Sequence, residues 1–126
     1  MLPDWLPPVA AQMSKGLLVT GQIALVAIAS SCALGLVLGL LLTLKVAVLR
    51  VAIGAYIEVW RGLPVIVTLF FLFFGLPAIG IRLSPIIAAE FAITLWGSAN
   101  LAVLVRGAVE SIPRGQFEAA SAVGFN

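Results

Sequence analysis

The sequence predicts an all-α membrane protein: three transmembrane helices, an amphipathic helix at the membrane interface and a short terminal helix. Three observations carry that expectation. Of 126 residues, 63% are hydrophobic and 10% charged, whereas soluble domains have about 45–50% apolar and about 25% charged residues. The stretch from Gly16 to Leu44 carries no charge at all. The few basic residues stand at the ends of apolar runs, as in a membrane chain, so the net charge of +2 does not imply nucleic-acid binding.

Residues 1–126 read as one transmembrane domain. Met1 to Lys15 forms a mixed leader with Pro3, Asp4, Pro7 and Pro8. It lacks a basic n-region and so does not read as a cleaved signal peptide. The first span covers about 17–44, longer than the roughly 20 residues a bilayer crossing needs. Within it Gly35 and Gly39 form a Gly-x-x-x-Gly pair, with Ser30, Ser31 and Ala33 nearby. Small residues let a second helix approach closely, although glycine is also common in membrane helices generally. The single cysteine, Cys32, lies in the same run and reads as a small buried hydrophobe.

An amphipathic helix follows at 46–60. At about 100° per residue, Arg50, Gly54, Glu58 and Arg61 share one side. Glu58 and Arg61 are spaced to pair on that side. The second span, 63–76, is short, with Pro64 as a kink or a new start, and borrows length from the helix before it. Gly75, Pro77, Gly80 and Arg82 make a loop. Ser84 then caps a third span over 85–105, with Pro85 at the first helical position. A final polar-to-mixed segment occupies 106–126.

Lys45, Arg50, Arg61, Arg106 and Arg114 flank one side of the spans, and Lys15 and Arg82 the other. The positive-inside rule puts the first group in the cytoplasm and the N-terminus outside.

The chain has no histidine, and its five acids are scattered. No catalytic pair, metal cluster, phosphate-cradling loop or cofactor site is expected, and an enzyme is not expected either. Glu90 is the one acid inside a predicted span. With Thr94, Gly97 and Ser98 it occupies one helix face, about 7–8 Å from the helix start. A buried ionisable group in a membrane is a functional candidate by default. The alternative is that Glu90 snorkels to the headgroups or pairs with Arg82. Glu90, Thr94, Ser98 and Asn100 are the candidates for a translocation path.

Pro113 can begin a short helix and Gly124 can end one. On composition alone this segment is an ordinary alanine-rich loop. However, Ser111-Ile112-Pro113-Arg114-Gly115-Gln116, then Glu118-Ala119-Ala120 and Gly124, resembles the coupling loop of bacterial ABC-transporter permeases. The resemblance extends to Glu58-Val59-Trp60-Arg61-Gly62-Leu63-Pro64, Gly75-Leu76-Pro77, Arg82-Leu83-Ser84-Pro85 and Arg106-Gly107. These are similar to stretches of polar amino-acid permeases of the histidine and glutamine type, and together they cover most of Tyr56 to Gly124.

The resemblance implies the N-terminal part of an importer permease in the bacterial inner membrane, truncated after Asn126. It implies a second permease subunit, two ABC ATPase subunits and an external substrate-binding protein as partners, and amino acids as cargo. Gly115, Glu118, Ala119, Ala120 and Gly124 would contact the ATPase. Trp96, Asn100 and Val103 depart from the subfamily's usual residues on the third span, which sets the chain apart from typical polar amino-acid carriers. A small, non-transporting helical membrane protein with a structural or regulatory role is the alternative.

Overall fold

A computed structural model describes residues 6–44 and 46–125. Pro3, Asp4, Lys45 and Asn126, which entered the reading above, lie outside the described residues. The elements run α1 (Leu6–Thr43), α2 (Ala47–Gly62), α3 (Val65–Phe70), α4 (Pro85–Glu110) and α5 (Arg114–Ala122). Between α3 and α4 the chain continues through a widened turn, Phe71–Gly75, and a tight one, Leu76–Ile79. No strand occurs among the described residues.

The helix α1 has 38 residues, about 57 Å of axis against a hydrocarbon layer of about 30 Å. It starts well before the expected span, so the described part of the leader is helical. Pro7 and Pro8 sit in its first turn, where a missing N–H breaks no hydrogen bond. The helix α4 runs on to Glu110, past its expected end at 105. It starts as expected: the Ile87 amide donates to Ser84 Oγ at 3.3 Å.

The two long helices pack through a row of small residues. Ala27, Ser31, Gly35 and Gly39 recur every four positions on α1, and all are buried. Such a row is the ridge along which helices interdigitate. A Cβ added at Gly35 would lie 2.7 Å from Leu101 Cβ, and one at Gly97 would lie 2.5 Å from Ser31 Oγ. Ser31 Oγ itself is buried with no hydrogen-bond partner among the described residues. Cys32 is one residue, about 100°, off this row. It is exposed, not buried as the sequence suggested.

The amphipathic helix α2 lays Ile53 and Ile57 against Leu42, Ala99 and Ala102. The axis then bends by 98° across Leu63 and Pro64. Pro64 supplies no N–H, and residues before a proline avoid helical backbone. Leu63 accordingly is extended at φ −92°, ψ 133°. Beyond the bend, Leu72 packs on Ala88 and Ala92. At Gly80, φ is +88°, and the amides of Gly80 and Ile81 donate to Pro77 and Leu76 carbonyls, closing the turn.

Pro8–Thr43 and Pro85–Glu110 are long and apolar enough to cross a bilayer, and only 28% of each apolar window is buried. The bent pair of α2 with Val65–Ile79 makes another crossing if counted as one span.

Candidate functional site

Glu90 and Thr94 do come together. With Val26, Ser30 and Phe91 they line a cleft of about 210 Å³ between α1 and α4. Ser30 Oγ donates to the Val26 carbonyl at 2.7 Å and lies 2.7 Å from Thr94 Oγ1. The two hydroxyls thus share a hydrogen bond across the α1–α4 contact. Glu90 is half-buried at this cleft and forms no ion pair with Arg82.

The other two path candidates sit elsewhere. Ser98 is 0% exposed. It donates to the Leu95 carbonyl at 3.1 Å, and Tyr56 OH lies 2.8 Å from its oxygen. The spacing puts Ser98 two turns below Glu90, but α2 crosses α4 at that height and Tyr56 covers it. Ser98 therefore lines no opening here. Asn100 accepts from Arg61 Nε at 3.2 Å and donates to the Trp96 carbonyl at 2.8 Å. Arg61 thus engages Asn100, and the expected Glu58–Arg61 ion pair is absent among the described residues. The ion pair that forms is Arg106 Nε with Glu110 Oε1, at 2.8 Å. It is exposed, and such i,i+4 pairs stabilise by about 0.3–0.5 kcal/mol.

A second cleft, about 400 Å³, opens between the end of α1, α2 and the lower half of α4. Arg50, Glu58 and Arg61 line it from α2, and Arg106 from α4. The one-sided charge pattern of α2 was visible in the sequence, but it suggested a face turned to water. Its meeting with Arg106, distant in sequence, was not visible.

The terminal helix α5 stands apart from the bundle. Gly115, Glu118 and Ala119 are exposed, and Ala120 is half-buried. Glu118 is beyond the first turn, too far along α5 to interact favourably with the positive helix end. Gly124 ends the helix at φ +89°, where a side chain would be strained. The Gly124 amide donates to Ser121 and the Phe125 amide to Ala120, the double bond of a Schellman cap. Phe117, Val123 and Phe125 leave apolar surface uncovered around it.

Among the described residues the chain is all-helical, with two helices long and apolar enough to cross a membrane and a further crossing if the bent pair is one span. No protein-family model matches it. It is 41% identical over 111 residues to the probable glutamine ABC transporter permease protein GlnP of Bacillus subtilis (strain 168), covering 88% of this chain and 51% of that one. It is 38% identical over 112 residues to the probable amino-acid ABC transporter permease protein YckA of the same organism, covering 89% and 50%. A solved structure, an amino acid ABC transporter with histidines, matches with a TM-score of 0.83 and 27% identity, over 100% of this chain and 60% of that chain. The chain is a homologue of the amino-acid ABC transporter permeases over most of its own length. It spans about half the length of the curated relatives it matches.

Proposed function

We propose that this chain forms the N-terminal part of the permease subunit of an amino-acid ABC importer. In this reading it crosses the bacterial inner membrane three times, by α1, by α3 with its following turns, and by α4. The N-terminus is outside, α2 lies at the cytoplasmic interface, and α5 is the coupling helix. Glu90 and Thr94 face the outer part of the translocation path. No chemistry is performed by the permease. ATP-driven closure of two partner ATPases moves α5, and the spans rock between outward and inward access around cargo delivered by a substrate-binding protein. A second permease subunit completes the path.

The observation that carries this reading is α5. It is a short helix capped at its C-terminal end, exposed at all its positions but Ala120, and joined to the end of a long apolar helix by three residues. An isolated helix of nine residues is marginal in water, so a docking partner accounts for its regular form. Gly115, Glu118, Ala119, Ala120 and Gly124 would sit in the ATPase groove. The test is a pull-down of the full-length product with its ABC ATPase. Co-purification that is lost when α5 is deleted supports the reading, and co-purification unaffected by that deletion refutes it.

A further inference from the structure

We propose that the cleft between α1, α2 and α4 holds the phosphate headgroup of an anionic phospholipid. The cleft has the composition such a ligand requires. Three guanidinium groups, Arg50, Arg61 and Arg106, face one carboxylate, Glu58, in its lining. Glu110, outside the lining, takes one side of Arg106, and Asn100 takes the Nε–H of Arg61. Arg50 has no side-chain partner among the described residues. Guanidinium forks match phosphate oxygens and form short, charge-assisted bonds with them.

The depth fits as well. Arg106 lies about 32 Å along α4 from Pro85, close to one hydrocarbon thickness. A span that enters the apolar layer near Pro85 therefore delivers Arg106 to the opposite headgroup layer. Val103, 37% exposed, is the accessible apolar wall of the same lining, with Leu42 and Ile57 buried behind it, and the start of an acyl chain would run over it. A free inorganic anion would use the arginines but gain nothing from that wall. Basic pockets between membrane helices on the cytoplasmic side are a recognised means of binding lipid headgroups. The inference rests on the membrane placement proposed above, in which Arg106 marks the inner end of α4.

The experiment places the full-length protein in nanodiscs of equimolar phosphatidylglycerol and phosphatidylcholine and counts retained lipid by native mass spectrometry. Both leaflets have the same composition, so the result does not depend on which face is cytoplasmic. Phosphatidylglycerol should be retained selectively, and Arg50→Gln should lower that retention about fivefold. Arg50→Lys should keep most of it, and Arg82→Gln, remote from the cleft, should change nothing. Equal retention of both lipids by the unaltered chain overturns the proposal without any variant having to fold. So does displacement of the lipid by excess inorganic phosphate, which would mark a free-anion site. Thiol labelling of a Gly107→Cys, Cys32→Ser protein separates the two readings. If that thiol lies at a membrane surface and lipid selectivity is still absent, the lipid site fails while the topology stands.

Discussion

Gly39 faces Val105 so closely that a Cβ at Gly39 would lie 2.5 Å from Val105 Cβ and 2.8 Å from the Ala102 carbonyl oxygen. The second of these atoms is backbone and cannot rotate away. The two long helices are thus in contact at their main chains, in the manner of close-packed membrane helices.

Gly39→Leu should therefore separate α1 from α4. Overpacking typically costs about 1–3 kcal/mol, and a backbone obstacle puts this site at the upper end. Gly21→Leu meets nothing within 4 Å and should be tolerated. Thermal unfolding in detergent, with disulfide cross-linking between the helices, measures both. Equal stability of the two variants would contradict this packing.

Tyr56 and Ser98 tie α2 to α4 beside a buried cluster of alanine, leucine and isoleucine. Tyr56→Phe should destabilise by about 1 kcal/mol. Ser98 keeps its bond to Leu95 in that variant, so the loss reflects the contacts of the Tyr56 hydroxyl with Ser98 and, at 3.4 Å, with the Leu95 carbonyl. A double-mutant cycle with Ser98→Ala should give a coupling of about 0.6 kcal/mol, the usual size for hydrogen bonds between membrane helices. A coupling near zero would mean that the two hydroxyls do not meet in the bilayer.

The order of helices was readable because each boundary has a local cause. Ser84-Pro85 starts α4, Pro64 stops α2, and Gly124 caps α5. The Gly35 and Gly39 face was visible as a spacing, but its continuation to Ala27 and Ser31 became evident only opposite Gly97. The candidate path was half legible. Helical periodicity put Glu90, Thr94 and Ser98 on one face of α4, yet periodicity describes one helix and not its neighbours. Ser30 and Tyr56, which decide what Thr94 and Ser98 do, lie 64 and 42 positions away from them. Cys32 was misread for the same reason: apolarity of a run does not say which side of the helix is covered.

Glu90 gives a functional prediction. Its carboxyl group borders the cleft formed with Ser30 and Thr94 and has no cation paired with it among the described residues. If that cleft belongs to the cargo path, Glu90→Gln in the full-length protein should reduce uptake in reconstituted vesicles about tenfold, the loss for a buried charge-assisted hydrogen bond of about 1.5 kcal/mol. ATPase assembly should be unaltered. Unchanged uptake would remove Glu90 from the path and leave it a lipid-facing acid.

Ala119 tests the coupling role with little risk to the fold. It is exposed, lies in the middle of α5, and has no packing duty within this chain. Alanine to glutamate in a helix interior changes intrinsic propensity by well under 1 kcal/mol, so α5 should still form. In a groove on an ATPase, however, the four added heavy atoms, three of them a carboxylate, would have to be accommodated against a surface fitted to a methyl group. Ala119→Glu should then leave ATP hydrolysis running while amino-acid uptake falls, seen as a rise in ATP consumed per substrate moved. Gly124 is the poorer test, because φ +89° means that any side chain there disturbs the cap first. An Ala119→Glu protein that assembles and transports with ordinary stoichiometry would show that α5 transmits no motion.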